Sequence, residues 1–351
     1  MDSLTGVVRL KDIAKSAGVS TMTVSKALRD KPDIAASTRA HIQRLAREAG
    51  YVPHSAASGL RSKTTRLIGL VIPAFTDPLH GRLISAVEQN AHELGYEVIL
   101  MQSMGSVERE ERCVRRLMAR RVDGILIAPV PRLLPHPGCY DELRQRGVPT
   151  VILGQRSPFC AAFTSVETDD LAASAAVTRH LLGLGHRRIA FLGGPSTAPW
   201  AVERLEGYLL ALREAGIERD DRLIFHAGAV VDEGSRTALQ FIDERSDATA
   251  LQAVNDLVAI GAADTLLNQG VRIPQDLSVA GFGNVLVSEY FRVPLTTVRQ
   301  PKFRIGALAL DHLMRLMRGE AVETQRLSAE IVVRASTGPV RSAPAVTASG
   351  R

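Results

Sequence analysis

Eight apolar runs of strand length alternate with helical stretches between residues 66 and 283, and this alternation constrains the fold more than any other feature. The runs are RLIGLVIP (66–73), YEVILMQ (96–102), VDGILIAPV (122–130), VPTVILG (148–154), RRIAFLGG (187–194), LIFHAG (223–228), ATALQAV (248–254) and LSVAGFG (277–283). Strands that are apolar throughout are typical of parallel sheets covered by helices on both faces. Eight of them exceed one ordinary domain, so an α/β body of two doubly wound lobes is predicted.

The break between the lobes is expected near residue 162. In SPFCAAFTSVETDD (157–170) the helical pattern lapses, and one strand-like segment follows another without a helix between them. At 351 residues, 45% hydrophobic and 23% charged, the composition is that of a soluble globular protein. The chain has neither an apolar run of spanning length nor a secretory pattern at its N-terminus, so a cytoplasmic protein without a membrane partner is expected.

The three cysteines and the net charge narrow the class further. Cys113, Cys139 and Cys160 are odd in number and widely spaced, which fits neither a disulfide framework nor a zinc site, so reduced thiols and no metal or cofactor are expected. The net charge of +6 is confined to the first 63 residues, where 11 basic and 5 acidic residues give 11 − 5 = +6, and the remaining residues cancel. A basic module on a neutral body predicts a polyanionic partner for the module.

That module carries two short helical patterns around Gly18, in KDIAKSAGVSTMTVSKALR (11–29). Gly18 ends the first helix, Ser20 is a good N-cap for the second, and Val24 and Leu28 point inward. This leaves an outer face made of Thr21, Met22, Ser25, Lys26 and Arg29. Two helices joined by a tight turn form a helix-turn-helix, whose second helix enters the DNA major groove.

Chemistry on that face suits base reading, although a solvated helix face on a small bundle is the alternative. Lys26 can donate to guanine, Thr21 or Ser25 can read base edges or phosphate, and Met22 can contact a thymine methyl. Spacing alone leaves the two interpretations about even. The location of the positive charge favours DNA.

The residues LKDIAKSAGVSTMTVSKALRDKPDIAASTRAHIQRLAREAGYVPHSAASGLRS resemble the headpiece and hinge of LacI/GalR-family bacterial transcription regulators. The resemblance continues through GLVIPAFTDPLHGRLISAVE, RRVDGILIAP, GHRRIAFLGGP, NDLVAIGA and PQDLSVAGFGN…VPLTTVRQP, and so covers nearly everything before the tail. It implies a sequence-specific DNA-binding regulator, a repressor in function, whose operator affinity is controlled by a small-molecule effector. The body then resembles periplasmic sugar-binding proteins and dimerises.

The resemblance also implies a domain organisation. It places an all-α helix-turn-helix headpiece at 1–52, a hinge helix at 53–65, a two-lobed core at 66–340 that crosses back near 283–302 and 325–330, and a disordered tail at 341–351. In the resembling proteins two hinges meet over a pseudo-palindromic operator, where a leucine from each wedges into the minor groove. Leu60 occupies that position. His54 stands where the family usually has Asn, and Lys26 where Arg is commoner.

Residues just after the apolar runs are the candidates for effector binding, because doubly wound sheets bind ligands beyond the carboxyl ends of their strands. Asn255 and Asp256 follow one such run, and either can simply cap the next helix. The family pattern puts the asparagine in the cleft, which favours Asn255 as the ligand residue. Arg204 can be a solvated helix arginine, but the family pattern places an arginine there in the cleft, where its fork suits paired hydroxyls or a carboxylate.

The resemblance to the family adds three cleft candidates by position, and a fourth lies in the loop before the Arg204 helix. Leu79 and His80 belong to the first lobe and Gln300 to the crossover, although a lone histidine is more often structural. Trp200 is the only tryptophan and can either stack on a sugar ring or be buried. Family members commonly carry Asp where Gly283 stands and often where Gly154 stands. Losing both carboxylates removes acceptors for sugar hydroxyls, and with Arg204 retained this favours a sugar acid over a neutral pyranose.

Two other classes of protein share this architecture. Parallel sheets host many enzymes, but the phosphate-loop, nucleophile-elbow and zinc-protease motifs are missing from the sequence. A transport-type sugar-binding protein has the same body but needs neither a basic headpiece nor a cytoplasmic location. Salt-dependent binding to duplex DNA belongs only to the regulator.

Overall fold

The computed structural model describes residues 8–51, 64–132 and 138–340. Leu60, most of the expected hinge and the expected tail lie outside these residues. The chain divides at Thr65 into two compact units, an N-terminal headpiece and a larger body.

The headpiece is a three-helix unit. Its helices are α1 (Leu10–Ala17), α2 (Thr21–Ala27) and α3 (Ala36–Glu48). A small core holds them together, and it is built from Ile13, Ala14, Val24, Ala27 and Ile42. Val24 is fully buried, as the sequence predicts.

The body contains the twelve strands of the described chain. They are β1 (Leu67–Ile72), β2 (Glu97–Gln102), β3 (Gly124–Ile127), β4 (Thr150–Leu153), β5 (Thr164–Thr168), β6 (Ile189–Gly193), β7 (Ile224–His226), β8 (Ala250–Ala253), β9 (Ser278–Ala280), β10 (Thr297–Arg299), β11 (Gln325–Leu327) and β12 (Glu330–Val332). Its helices are α4 (Pro78–Glu93), α5 (Val107–Ala119), α6 (Gly138–Gln145), α7 (Asp170–Gly183), α8 (Pro199–Glu214), α9 (Val231–Asp243), α10 (Asp256–Asn268), α11 (Leu286–Tyr290) and α12 (Lys302–Met317). All eight predicted strands are confirmed.

Two parallel sheets organise the body into two lobes. The first sheet has the order β11-β5-β4-β3-β1-β2 and the second the order β7-β6-β8-β9. Both are doubly wound, with the strand order reversing at β1/β3 and at β6/β8. Strands β10 and β12 form a separate two-stranded antiparallel sheet.

Side-chain alternation on the first sheet explains its helices on both faces. Ile68, Leu70 and Ile72 of β1 share one core with α4 and α12. Val71 joins the core on the opposite face, where α5 and α6 pack. Successive strand residues point to opposite faces, so a strand that is apolar throughout must be covered twice.

The lobe boundary differs from the expected one. Strand β5 pairs in parallel with β4, so the first sheet still contains the chain at Thr168, beyond the expected break near 162. The chain returns to the first lobe in α12, which packs against α4, β3 and β4, and again in β11, which pairs with β5. The two strand-like segments around residue 162 are therefore neighbours in one sheet. Cys113, Cys139 and Cys160 are all free and buried.

Candidate functional site

The turn of the helix-turn-helix is built as the sequence predicts. Gly18 ends α1 with φ of 64°, a left-handed conformation that favours glycine. The Ser20 hydroxyl accepts a hydrogen bond from the Thr23 backbone N–H at 3.1 Å and so caps α2. Both helix ends are thereby satisfied within a short turn, which leaves the outer face of α2 available.

The five residues predicted to read DNA have different surroundings. Thr21 and Met22 are exposed at the start of α2, and Ser25 and Lys26 are partly exposed one turn later. The Lys26 ammonium pairs with the Asp33 carboxylate. Arg29 lies beyond the end of α2 and donates from its Nε to the Ser25 carbonyl at 2.9 Å. Thr21, Met22, Ser25 and Lys26 lie within α2, and Arg29 follows the end of the helix with its guanidinium against Ser25.

A cavity of about 350 Å³ lies between the two lobes of the body. It opens beyond the carboxyl ends of β1, β3, β6 and β8, the point in doubly wound sheets where ligands bind. Its lining includes all six residues predicted to bind the effector: Leu79, His80, Trp200, Arg204, Asn255 and Gln300. The structure thus brings together six side chains that span more than two hundred residues of sequence.

Arg204 is buried and makes both polar and aromatic contacts. Only 5% of its side chain is exposed, and its Nη2 lies 3.2 Å from the Asp170 carboxylate. Its Nη1 donates to the Val254 carbonyl at 2.8 Å. The guanidinium stacks between the rings of Trp200, 4.9 Å away, and Phe282, 3.7 Å away. Burial lowers the pKa of Arg204 and Asp170 opposes that shift, so the arginine remains a cation with a counterion.

Asp170 is a site residue that the sequence analysis missed. Its Oδ1 accepts from Arg204 of the second lobe and from the Gln300 amide at 3.3 Å. Its Oδ2 accepts from the Gln155 amide, which follows β4 of the first lobe, at 2.6 Å. One buried carboxylate therefore connects both lobes and the crossover. In the sequence it is only the second of two aspartates at a helix start, where capping is the ordinary interpretation.

Asn255 caps a helix and also lines the cavity. Its Oδ1 caps α10 by accepting from the Val258 N–H at 2.8 Å, and its Nδ2 donates to the Ala229 carbonyl at 2.9 Å. Asp256 beside it is buried and accepts from the Val285 N–H and the Thr297 hydroxyl. Burial raises the pKa of Asp256 and these hydrogen bonds oppose the shift. Asp256 therefore connects the start of α10 with Val285 and with β10, and it does not line the cavity.

The backbone conformation at position 283 and the neighbouring Leu79 side chain favour glycine there. Its φ is 134°, and a Cβ there would lie 2.7 Å from Leu79 Cδ2, so the leucine fills the space that an aspartate would need. Gly154 also has a left-handed φ, of 94°, which L side chains rarely adopt. Neither glycine supplies a carboxylate: Gly154 lines the cavity, and Gly283 is not among its lining residues.

Lys302 is the second residue of the cavity that the sequence analysis missed. It is the first residue of α12 and lines the cavity together with Gln300 and His80. Burial lowers the pKa of Lys302 to about 8. In the sequence it follows a proline and continues into an amphipathic helix, so nothing marks it as part of a binding site.

Comparison with known proteins assigns the chain to a family. Residues 9–54 match the model of bacterial regulatory proteins of the lacI family, and residues 178–337 match a periplasmic binding protein-like domain. The chain is 30% identical over 330 residues to the HTH-type transcriptional repressor CytR of Escherichia coli strain K12, covering 93% of this chain and 96% of CytR. The chain belongs to the lacI family.

Solved structures of lacI-family regulators share the whole architecture. The Lac repressor dimer bound to operator and the anti-inducer ONPF has a TM-score of 0.86 and 28% identity, covering 95% of this chain and 100% of the repressor chain. A complex of the transcriptional regulator CelR with cellobiose has a TM-score of 0.71 and 29% identity, covering 94% of this chain and 99% of CelR. These relatives are regulators, so the lacI-family chain described here is a transcriptional regulator and not an enzyme.

Across residues 8–51, 64–132 and 138–340, no helix has the length and apolar character needed to cross a membrane. The same residues contain no cluster of three or more histidine, cysteine or acidic side chains arranged to hold a metal ion.

Proposed function

We propose that this lacI-family chain is a sequence-specific repressor that binds a pseudo-palindromic operator as a homodimer and responds to an effector in the interlobe cavity. The observation that carries the proposal is the cavity, because side chains from both lobes line it and Asp170 connects them. A ligand gripped by both lobes favours one lobe arrangement over another. The effector class is a sugar or a sugar acid.

Charge and geometry of the headpiece support the DNA-binding half of the proposal. The exposed face of α2 carries hydroxyls, a methionine and a cation, which are the groups that read base edges in the major groove. One headpiece covers half a site, and a two-fold dimer matches a two-fold operator. The Lac repressor, which this chain resembles in structure, is a dimer in its solved complex with operator. A regulator of this kind acts where bacterial DNA lies, in the cytoplasm.

The DNA-binding half is tested by selecting bound sequences from a pool of random duplexes with the full chain. We expect a two-fold-symmetric consensus, and we expect affinity for it to fall steeply as salt is raised because phosphate contacts release counterions. Light scattering at micromolar concentration should show a dimer. A pool that yields no consensus, or a monomer on the selected site, contradicts the proposal.

The effector half is tested by thermal unfolding of the same protein against sugars, sugar acids and purines. A ligand that binds only the folded state raises Tm, and the shift grows with the logarithm of its concentration once that concentration exceeds Kd. A ligand that raises Tm is then added to the operator titration. Weaker operator binding identifies an inducer and stronger binding a co-repressor.

A further inference from the structure

The ionisable side chains of the cavity differ in whether their charge is already balanced. Those that line it are Asp77, His80, Asp170, Arg204 and Lys302. Arg204 and Asp170 form a buried ion pair with 5% and 2% of their side chains exposed. Arg204 therefore offers a ligand a hydrogen-bond donor but no uncompensated charge, and its presence alone does not select an anion.

Asp77 is held at the start of α4, and His80 contributes no positive charge to the cavity. Asp77 caps α4, since its Oδ1 accepts from the Leu79 N–H at 2.9 Å, and a carboxylate is stabilised at a helix N-terminus. Its Oδ2 lies 3.6 Å from His80 Nδ1. Burial lowers the pKa of His80, and nearby Lys302 contributes in the same direction although Asp77 opposes it, so His80 is neutral at pH 7.

Lys302 is the cavity cation without a partner. Among the described residues its ammonium forms neither an ion pair nor a hydrogen bond, although Asp170 and Asp77 are close enough to favour its charged form. Desolvation outweighs both carboxylates and lowers the pKa of Lys302 to about 8. A half-buried ammonium that lacks a counterion is unfavourable, and an anion placed in the cavity relieves that penalty.

Two buried hydrogen-bonding atoms that lack a partner among the described residues complete the recognition set. Arg204 Nε and Gln300 Oε1 are both buried and both lack a partner in the described structure. The Gln300 amide nitrogen must face the Asp170 carboxylate, which only accepts, and this leaves the amide oxygen as an acceptor. The lining thus offers one donor and one acceptor, which suits the oxygen and the proton of ligand hydroxyl groups.

We propose that the effector is a hydroxylated anion whose acidic group pairs with Lys302 and whose hydroxyls bond Arg204 Nε and Gln300 Oε1. This inference rests on the proposed function and narrows its effector class from sugars in general to sugars that bear a carboxylate or a phosphate. Lys302 is then the residue that discriminates the acid from its neutral parent. The cavity volume suits a ligand of monosaccharide size.

The test measures Tm of the full chain with matched acidic and neutral compounds. The pairs are glucuronate with glucose, gluconate with sorbitol, glucose 6-phosphate with glucose, and, as minimal fragments at high concentration, glycolate with ethylene glycol. We expect an acid of at least one pair, and glycolate weakly, to raise Tm while the neutral partner does not. The carboxylate and phosphate arms show which anion the site prefers.

Variants at one helix isolate the lysine. Lys302→Met should lose the Tm shift, whereas Arg304→Met, which removes an exposed charge from the same helix outside the cavity, should keep it. With the Lys302 pKa about 8, wild-type affinity for the acid should be about tenfold weaker at pH 9 than at pH 7, because the ammonium is lost. Lys302→Arg should bind the acid with nearly the same affinity at both pH values, since its charge persists.

Three results overturn the anion assignment: neutral partners that raise Tm as much as the acids, a full shift retained by Lys302→Met, or no shift with any anion including glycolate. The regulator function is judged separately by operator binding of the same preparation. A protein that selects a two-fold operator and responds to a neutral sugar keeps the proposed function and loses this inference.

Discussion

At the scale of single residues, Lys26 is predicted to read a base of the operator. Its ammonium pairs with Asp33 in the isolated chain, and the hydrogen bond from Lys26 lowers the pKa of Asp33. To read guanine the lysine must exchange this exposed carboxylate for the base. The exchange is feasible because both partners are about half exposed, where ion pairs contribute little.

Lys26→Ala should therefore relax base preference at one position of each half-site. The expected loss of discrimination is about 1–3 kcal/mol, because one base contact disappears while the phosphate contacts remain. Competition binding with single-base operator variants measures it. Equal weakening on every sequence would instead place Lys26 on the phosphate backbone.

Arg204 is expected to contribute strongly to the stability of the body. Arg204→Ala leaves the Asp170 carboxylate buried without its cation and removes the stacking on Trp200 and Phe282. We expect the free energy of unfolding to fall by about 3–5 kcal/mol, as is usual when one member of a buried pair is removed.

The matched control for Arg204 is an exposed ion pair between the same two helices, α7 and α8. Arg179 of α7 pairs with Glu214 of α8 at 2.8 Å, with about half of each side chain exposed. Arg179→Ala should change the free energy of unfolding by less than about 1 kcal/mol. Urea unfolding of both variants compares them. Equal losses would mean that the buried pair of Arg204 and Asp170 stabilises the body no more than the exposed pair does.

At the scale of elements, the segment after β12 depends on a buried histidine. His186 precedes β6, and its Nε2 lies 3.1 Å from the Ser278 hydroxyl and 3.0 Å from the Gly338 carbonyl. Its Nδ1 lies 2.9 Å from the Thr249 hydroxyl. Burial lowers the pKa of His186 below its usual 6.5 although the Gly338 carbonyl opposes the shift, so the folded protein resists its protonation.

The sign of the resulting pH dependence follows from this lowered pKa. Its stability contribution is fully present above the unfolded pKa and declines as pH falls through the folded pKa, by at most about 1.4 kcal/mol per pH unit. His186→Gln should shrink the difference between the free energies of unfolding at pH 7.5 and pH 5.5. An unchanged difference would assign the acid sensitivity to other groups.

The hinge contributes a prediction from sequence alone, since Leu60 lies outside the described residues. Leu60→Ala should weaken binding to the selected operator far more than binding to random duplex. The reason is that the leucine wedge stabilises bent DNA, while phosphate contacts are common to both. Fluorescence anisotropy on the two duplexes at one salt concentration measures the ratio. A uniform loss would remove the wedge role.

Elements differ in how well the sequence predicts them, for physical reasons. The eight predicted strands are recognisable because each lies within a longer, mostly apolar run of the sequence, as expected for strands covered on both faces. Strands β10, β11 and β12 were not predicted because they are three residues long and carry polar residues, as in Gln325–Leu327 and Glu330–Val332. Position carried over from the family found six cavity residues, but Asp170 and Lys302 derive their roles from contacts that only the folded chain creates.

At the scale of the whole molecule, we propose that DNA binding by the headpiece responds to a ligand in the cavity that both lobes line. Coupling between them requires that the effector bind two lobe arrangements with unequal affinity. The hydrogen bonds of Asp170 reach Gln155, Arg204 and Gln300, so a ligand that bonds Arg204 and Gln300 acts on the same side chains that connect the lobes.

The most direct test of this coupling is the operator affinity of the full-length protein with and without a ligand that raises its Tm. Fluorescence anisotropy with the selected operator, at fixed salt and saturating ligand, gives both values of Kd. We predict that Kd changes by about 5-fold to about 150-fold, the usual range for coupled sites. A ligand that saturates the cavity and leaves operator Kd unchanged would contradict the account.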